Sequence, residues 1–383
     1  MGKVAIWKCE DYDIEHVRAA VGAAVGALGG MAAFVNPGER VLLKPNLLMR
    51  RRPEKATTTH PAVVQAVAEL VTAAGGVPLI FDSPGGTSVH NAATLEGLYD
   101  TCGMKAAAAA AGAQLCMDTE VVDVPWPQGQ RMKAIKTIAE VTRVDKIINL
   151  PKLKTHMMMT FSGGVKNLFG IVPGSYKTEY HFRFEEEDDF AGVLVDLCQF
   201  ARPVLTVMDA IVAMEGSGPT NGTPRPLGLL LASASPYEMD VVASTCIALE
   251  PRAVPTIRAS AARGLCPMSA QHVEVVGCAI ADVRTPDFVK PRNVALNIYD
   301  WWLPKPVAHW MNRAMKYKPG FRLERCKGCG VCANSCPAKA IEMRNGKPNL
   351  EISQCISCFC CHELCRFDAV DIRKPWPFRM IIK

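Results

Sequence analysis

Two copies of one cysteine pattern constrain this chain more than any other feature. The first copy reads CKGCGVCANSCP from Cys326, and the second reads CISCFCCHELCR from Cys355, 29 residues later. Both have the spacing C-x2-C-x2-C-x3-C, so they form an internal repeat. Of the 16 cysteines in 383 residues, nine lie between Cys326 and Cys365. Such crowding in a long chain indicates metal binding rather than disulfides.

The spacing predicts two [4Fe-4S] clusters. Three thiolates on one tight loop can face three irons of a cubane, while the fourth cysteine, where a helix begins, points to the neighbouring cluster. The ligand sets are therefore expected to cross over, one being Cys326, Cys329, Cys332 and Cys365 and the other being Cys355, Cys358, Cys361 and Cys336. A pair of zinc sites is the alternative, because four thiolates also suit zinc, but zinc spacings lack the third and fourth cysteine at these intervals.

Residues 321–375 resemble the bacterial two-cluster ferredoxins. The resemblance implies a small α+β module, electron transfer and a protein partner that donates or accepts electrons. Arg366 departs from the family pattern, which has a proline after the last cysteine. Cys360 is an additional thiol that could be a spare ligand, a redox-active group or a space-filling side chain. Basic residues outnumber acidic ones from Phe321 to Lys383, as would suit an acidic partner.

The rest of the chain has an ordinary globular composition, with 49% hydrophobic and 21% charged residues and a net charge of +6. No run of like charge indicates a nucleic-acid partner, and no apolar stretch indicates a transmembrane segment or secretory signal. We therefore expect a cytoplasmic protein. Its predicted organisation is a large domain at 1–290, a Trp/Pro/Lys-rich linker at 291–320, the cluster module at 321–376 and a tail at 377–383.

Short β-rich runs alternate with Ala-rich helical stretches from residue 1 to about 290, which predicts an α/β domain with a mostly parallel sheet. Candidate strands are KVAIWK, RVLLKPN, VPLIFDS, KIINLPK, VLTVMDA and LGLLLASA. Candidate helices include IEHVRAAVGAAVGALGG, HPAVVQAVAELVTAAGG and YEMDVVASTCIALE. Ligands bind beyond the carboxyl ends of strands in such sheets, so polar residues there are candidate site residues.

The first candidate stretch is VLLKPNLLMRRRPEKATTTHPAVV. Lys44 and Asn46 are predicted to bind substrate at a strand end. Helix capping explains part of the rest, with Thr59 as the expected N-cap and Pro61 in the first turn.

The second candidate stretch is IINLPKLKTHMMMTFSGGVKNLFG. Cationic side chains followed by a glycine pair could hold a phosphate or a carboxylate through side chains and backbone N–H groups. The predicted catalytic residues are Lys154, His156 and Lys166, and the further predicted substrate-binding residues are Gly163, Gly164 and Asn167. Neither a Walker A sequence nor a G-x-G-x-x-G motif is present, so conventional nucleotide binding has no support.

Carboxylates form a third group of candidates. Asp82 follows one predicted strand, Asp209 follows another, and Glu215 lies farther along the same stretch. They could bind a metal or hold the lysines in place, although turn formation explains many of their neighbours.

The motifs LKPN, TTTHP, FDSPGG, INLPKLKTH, GGVKNLFG and MDAIVAMEGSGP resemble those of domain-of-unknown-function family 362, over about residues 3–285. This family often carries a C-terminal ferredoxin module. A polar strand end followed by a helix that begins at His-Pro is also similar to the N-terminal half of the nickel-pincer lactate racemases. This sequence lacks the set of histidines that is typical of those enzymes.

Three functions remain open from the sequence. The first is an iron-sulfur oxidoreductase whose large domain binds a small anionic substrate or cofactor. The alternative is a non-enzymatic electron carrier whose large domain docks a partner enzyme. The third is a non-redox role in which the clusters are structural or sense oxygen.

Overall fold

The computed structural model describes residues 2–85, 91–174, 176–291 and 316–373. The predicted linker at 291–320 lies mostly outside the described residues, and the predicted tail at 377–383 lies wholly outside them. The domain limits drawn from the sequence stay a prediction.

Strands follow the β-rich runs of the sequence closely. They are β1 (Lys3–Lys8), β2 (Arg40–Pro45), β3 (Val77–Ile80), β4 (Gln114–Leu115), β5 (Val121–Pro125), β6 (Ala134–Ile138), β7 (Lys146–Leu150), β8 (Lys152–His156), β9 (Thr160–Ser162), β10 (Leu205–Glu215), β11 (Thr223–Ser233), β12 (Glu274–Gly277), β13 (Lys318–Phe321), β14 (Ile341–Arg344), β15 (Lys347–Leu350) and β16 (Val370–Arg373).

Helices lie between the strands of the large domain, within its Ala-rich stretches and outside them, and two short helices lie in the cysteine region. They are α1 (Ile14–Gly26), α2 (Pro61–Ala73), α3 (Ala92–Thr101), α4 (Met104–Ala111), α5 (Gly164–Asn167), α6 (Tyr176–Arg183), α7 (Glu187–Ala201), α8 (Pro236–Cys246), α9 (Pro255–Ala262), α10 (Ile280–Val283), α11 (Val331–Asn334) and α12 (Cys360–Glu363).

The large domain is built on one ten-stranded sheet with the order β12-β1-β11-β10-β7-β2-β3-β4, to which β8 and β9 are added beside β10. Most pairs are parallel, including β3 with β2, β2 with β7, and β7 with β10. Strand β11 is antiparallel to both β10 and β1. The predicted mostly parallel α/β sheet is confirmed, and a long β10–β11 hairpin interrupts its parallel order.

Helices cover both faces of this sheet. The pleat sends Ala5 of β1 into a core with α1, α2 and α4, whereas its neighbours Val4 and Ile6 enter a core with α8 and α9. Alternation along a strand that is buried on both sides is the expected pattern for a sheet between two helical layers.

The cysteine region repeats its backbone as well as its sequence. Left-handed residues recur at the 29-residue offset, with Gly328 and Gly330 in the first copy replaced by Ser357 and Phe359 in the second. The φ angles are 68° and 73° in the first copy and 59° at both positions in the second. Two antiparallel strand pairs, β13–β16 and β14–β15, complete this small α+β module.

The module packs against the large domain. Phe359 and Ile372 belong to the same buried core as Phe169 and Phe190. The hydroxyl of Thr220 donates to the carbonyl of Glu363 over 2.7 Å, which satisfies a carbonyl at the end of α12. The last turn of α12 is therefore attached to the loop that joins β10 and β11.

Candidate functional site

Backbone N–H groups approach the cysteine sulfurs in the same way in both copies of the repeat. Ala340 donates to Cys336 Sγ over 3.2 Å, and Ala369 donates to Cys365 Sγ over 3.3 Å. These donors follow the fourth cysteine of each motif by the same interval. N–H···S hydrogen bonds of this kind stabilise cluster thiolates and influence the reduction potential.

The cysteines that influence the pKa of one another include members of both motifs. Burial raises the pKa of Cys332 to about 11, and the nearby Cys326, Cys329 and Cys365 add to this effect. Burial likewise raises the pKa of Cys336, whose thiol neighbour is Cys358 of the other motif. The fourth cysteine of each motif thus lies near cysteines of the other motif.

Among the described residues, no three His, Cys, Asp or Glu side chains are placed to hold a single metal ion. A tetrahedral zinc site needs its four ligands around one point, whereas the thiolates of a cubane bind separate irons. The cysteine thiols of this region therefore fit iron-sulfur ligation.

Two lysines at the strand ends are neutralised by buried carboxylates. Lys44 Nζ lies 2.7 Å from Asp82 Oδ1, at the ends of β2 and β3. Lys152 Nζ lies 2.8 Å from Asp209 Oδ2 and 2.7 Å from the Tyr12 hydroxyl. Asp82 and Asp209 therefore form ion pairs with lysines, which is one of the two roles that the sequence suggested for them, the other being metal binding.

Glu215 has another partner, since its Oε2 accepts the backbone N–H of Val289 over 2.9 Å.

Strand β8 presents Lys152 and two of the predicted catalytic residues, Lys154 and His156, on one face. Lys152, Lys154 and His156 alternate along the strand, so the pleat points them in the same direction. All five residues of β8 are buried, and the strand continues the line of β7 beside β10 after Pro151. The polar residues are thereby placed beyond the carboxyl end of β7, where ligands bind in open α/β sheets.

Lys154, Lys166 and Lys177 are buried without a carboxylate at ion-pair distance within the described part of the chain. Lys154 donates to Asn46 Oδ1 and to the carbonyl of Thr57, both over 2.7 Å. Lys177 donates to the carbonyls of Ser83 and Pro84.

Burial lowers the pKa of both Lys154 and Lys177 to about 7. Glu363 of the cysteine module opposes this lowering in both lysines, because its nearby negative charge favours the protonated ammonium group.

Lys166 is placed differently from the other two. Its Nζ lies over the rings of Phe169 and Phe190, 5.0 Å and 5.9 Å from the ring centroids. Burial lowers its pKa as well, while Glu363 and Cys360 oppose the shift.

His156 turns one ring nitrogen toward the backbone and the other toward the cysteine module. Nδ1 accepts the N–H groups of Met158 and Met159, each over 3.1 Å. The proton of the neutral ring must then be on Nε2, which has no hydrogen-bond partner and lies 3.8 Å from Glu363 Oε2. Burial lowers the pKa of His156 well below its ordinary value, and the charges of Lys166 and Lys154 add to this.

These groups surround a cavity of about 60 Å³ at the junction of the large domain and the cysteine module. The large domain contributes β8, Lys166 and Asn167 of α5, and Lys177 and His181 of α6. The module contributes Cys360, Glu363 and Leu364 from α12 and the residue after it. The wall of the cavity therefore includes the segment that carries Cys361.

The glycine pair does not offer its N–H groups to the cavity as the sequence suggested. The N–H of Gly164 donates to Asp240 Oδ1 over 2.6 Å, and that of Val165 donates to Asp240 Oδ2. A Cβ at Gly163 would lie 2.1 Å from the same carboxylate. Gly163 is thus required by the close approach of Asp240, whereas a Cβ at Gly164 would crowd Pro236. The expected backbone anion cradle is occupied by the Asp240 side chain.

Most of the other predicted residues are brought together. Asn167 accepts a hydrogen bond from Asn46 over 3.0 Å and donates to the carbonyl of Lys44, so these three form a network behind Lys154. The expected N-cap of α2 is corrected from Thr59 to His60, whose Nδ1 accepts the N–H of Ala62. Thr59 instead donates to the carbonyl of Leu150 over 2.6 Å, which ties β7 to this loop.

Sequence reasoning missed Lys177, His181 and Glu363. The helix that carries Lys177 and His181 reads YKTEYHFR, which has the polarity of a surface helix. Glu363 lies within the second cysteine motif, whose spacing indicates cluster ligands and no other site residue.

A family model described as a domain of unknown function, DUF362, matches residues 41–245, more than half of the chain. The chain belongs to this family. A second model, a 4Fe-4S dicluster domain, matches residues 318–366 of this DUF362 protein. The protein thus carries a ferredoxin-type 4Fe-4S domain at its C-terminus, as the cysteine repeat predicts.

Two curated relatives match this DUF362 protein. It is 36% identical over 273 residues to a thylakoid-associated protein of Synechocystis sp., covering 70% of this chain and 81% of the relative. It is 68% identical over 25 residues to the pyruvate synthase subunit PorD of Thermotoga maritima, covering 6% of this chain and 25% of that subunit. In the described part of the DUF362 protein no helix is long and apolar enough to cross a membrane.

Two solved structures share part of the fold. The lactate racemase apoprotein of Thermoanaerobacterium thermosaccharolyticum has a TM-score of 0.36 at 15% identity, with 56% of this chain and 51% of that chain covered. A Thermotoga maritima protein has a TM-score of 0.31 at 12% identity, with 57% and 55% covered. The DUF362 protein therefore spans about half of each of these chains, and the likeness carries no inference about function.

Proposed function

We propose that this protein is an iron-sulfur oxidoreductase that passes electrons between two [4Fe-4S] clusters and a small anionic substrate in the junction cavity. The observation that carries the proposal is the shared wall of that cavity. Helix α12 supplies Cys361 as a cluster ligand and also Cys360 and Glu363 to the cavity, opposite the lysines of the large domain. Electrons would therefore have to cross only α12 to pass between the cluster bound by Cys361 and a substrate in the cavity.

The count of two clusters is supported by the repeat. In the proposed ligand sets Cys326, Cys329, Cys332 and Cys365 hold one cluster and Cys355, Cys358, Cys361 and Cys336 hold the other. The left-handed residues and the N–H···S hydrogen bonds recur at matching positions in both copies. Each cluster would supply one electron at a time, with a potential that hydrogen bonds and nearby charges adjust.

In this proposal Lys154, His156 and Lys166 contact the substrate directly. The two ammonium groups would bind the anion, and the Nε2–H of His156 would donate a hydrogen bond to it. We assign Lys44, Asn46 and Asn167 to the support of Lys154, because they form the network behind it. Gly163 and Gly164 would shape the wall of the site.

A protein donor or acceptor completes the proposal. Cys329 is exposed, which would bring the first cluster close to the surface where a partner could exchange electrons. If the large domain only docks a partner enzyme, the protein is a carrier instead, and no anion should affect its clusters. We propose the cytoplasm as its location, as the sequence predicts.

The test begins with anaerobic iron and sulfide quantification and EPR of the dithionite-reduced protein. We expect about eight irons per chain and coupled signals from two reduced cubanes, both lost in part when Cys332 or Cys361 is replaced by serine. Small anions are then screened for reoxidation of the reduced clusters. Lys154→Met should abolish an anion-dependent reoxidation, whereas Lys105→Met, at an exposed lysine paired with Glu96, should leave it unchanged. Zinc in place of iron, or reduced clusters indifferent to every anion, would overturn the proposal.

A further inference from the structure

We infer that the junction cavity selects a compact dianion of about four to six non-hydrogen atoms, bound by Lys154, Lys166 and Lys177 together with the Nε2–H of His156. This inference rests on the proposed function and specifies the charge and size of its substrate. It also adds Lys177, from α6, to the binding residues.

Charge balance gives the first argument. Lys44 with Asp82, and Lys152 with Asp209, are neutral pairs at 2.7 Å and 2.8 Å. At a pH at which all three lysines are protonated, the remaining side-chain charges at the cavity are three ammonium groups and the carboxylate of Glu363, because the neutral His156 and His181 add none. Three positive charges against one negative charge leave an excess of two. Buried charges are normally paired, so a ligand with two negative charges would complete the site.

Unused hydrogen-bond donors give the second argument. An ammonium group has three donors, and Lys154 and Lys177 each use two of them on protein oxygens. Lys166 lies over two aromatic rings and makes no hydrogen bond to the described residues. One or more N–H groups of each lysine are therefore available to an oxyanion or carboxylate.

His156 is an independent sign of a ligand with acceptor oxygens. The side chain is only 2% exposed, yet its Nε2 has no hydrogen-bond partner. Because Nδ1 accepts two backbone N–H groups, Nε2 can act only as a donor in the neutral ring. A second buried atom without a partner, Ser83 Oγ, belongs to another residue of the cavity wall. Leaving such buried groups unsatisfied disfavours the empty site, so ligand oxygens in this place would be favoured.

The size of the ligand follows from the volume of the cavity. A water molecule needs about 10–15 Å³ of this kind of space, so about 60 Å³ accommodates roughly four to six groups of that size. Oxalate is a dianion of this size, and inorganic phosphate, which has a similar size, becomes a dianion only when it loses its second proton above about neutral pH. A nucleotide or a long dicarboxylate would not fit without movement of the wall.

The closing experiment measures anion binding to the anaerobic, cluster-loaded protein by titration calorimetry at pH 6.5. Oxalate is compared with the monoanions nitrate and acetate, and with the larger dianion glutarate. We expect oxalate to bind at least tenfold more tightly than either monoanion and than glutarate. Tighter binding of a monoanion would overturn the charge assignment, and tighter binding of a larger dianion would overturn the size assignment.

Variants connect the binding to the named residues. Lys166→Met removes one of the three charges without breaking a hydrogen bond to the described protein, and we expect at least a tenfold loss of dianion affinity. Lys177→Met is a second variant with the same expected direction. Lys105→Met is the matched control at an exposed lysine and should have no effect. Unchanged affinity in both site variants would place the dianion elsewhere and overturn the inference.

Failure here can be separated from failure of the proposed function. If a monoanion or a larger molecule reoxidises the reduced clusters while compact dianions do not bind, the oxidoreductase stands and only the substrate class is wrong. If no anion either binds or reoxidises the clusters, both proposals fail.

Discussion

His156 Nε2 lies 3.8 Å from Glu363 Oε2, across the junction between the ten-stranded sheet and the cysteine module. Strand β8 supplies the histidine and helix α12 supplies the carboxylate. Neither half of the chain contains this arrangement alone, so the cavity depends on the packing of the module against the sheet. The same packing places α12, which carries the proposed cluster ligand Cys361, beside the lysines.

Replacement of Glu363 by glutamine should strengthen dianion binding. The carboxylate lies near Lys154, Lys166 and Lys177 and competes with an anion for them. Without it we expect oxalate to bind roughly tenfold more tightly at pH 6, about 1.4 kcal/mol, in titration calorimetry. Glu342→Gln, at an exposed residue of the same module, is the control and should be neutral. Weaker binding of the dianion in Glu363→Gln would contradict this charge competition.

Cys360 should prove dispensable for cluster assembly. It is buried in the cavity wall, and the equivalent position of the first motif, 29 residues earlier, is Val331. Cys360→Ser is therefore expected to retain about eight irons and the EPR spectrum of the reduced protein, whereas Cys361→Ser loses iron. Loss of iron in both variants to the same extent would show that Cys360 is a ligand. A retained iron content excludes the spare-ligand role and leaves the redox and space-filling roles.

The positions of the main features could be predicted from the sequence because they depend on local spacing. The cysteine motifs and the residues that follow Leu43 and Leu150 at the ends of strands are of this kind. Lys177 could not be predicted, because the sequence of α6 is that of a polar surface helix. The burial of the Lys177 side chain arises only from the tertiary packing of this helix.

The glycine pair shows a second limit of sequence reasoning. A Gly-Gly before a short helix is compatible with anion binding and with close approach of another chain segment. Asp240 of α8, 76 residues from Gly164 in the sequence, decides between these two roles. Its carboxylate accepts the N–H of Gly164, so this N–H is not available to an anion. No local pattern around the glycines contains that information.

Replacement of Lys166 by methionine should stabilise the protein while it weakens binding. Methionine can fill the space over Phe169 and Phe190 without the cost of burying a charge. Burial holds the pKa of Lys166 below its unfolded value of 10.5, so the charged form destabilises the folded state below that pH.

We expect Lys166→Met to raise the free energy of unfolding by about 1–3 kcal/mol at pH 6, as measured by urea denaturation of the anaerobic holoprotein. The gain should shrink as the pH rises toward 10, because lysine then loses its proton in the unfolded chain as well. Lys105→Met should change the stability little at either pH. A destabilised Lys166→Met protein would show that the ammonium group is already paired in the folded state.

Dianion affinity should fall as the pH rises above 7. Burial gives Lys154 and Lys177 a pKa of about 7 in the free protein, and the charged groups that face them are Lys44, Asp82, Lys152, Lys166 and Glu363. Below pH 7 both lysines are protonated and binding is at its strongest. Above pH 7 binding must first return a proton to each of them, so the bound complex takes up protons from the solution.

The measurement is titration calorimetry with oxalate, which is a dianion throughout the range from pH 6 to pH 9. We expect an affinity that is constant near pH 6 and that falls by up to about a hundredfold per pH unit when both lysines are deprotonated. Repeating the titration at pH 8 in buffers with different ionisation enthalpies counts the protons taken up. In Lys177→Met the decline should be shallower, because only one of the two lysines remains to be protonated. An affinity for oxalate that stays constant up to pH 9 would mean that these lysines keep their ordinary pKa and that their burial is offset by charges already in the site.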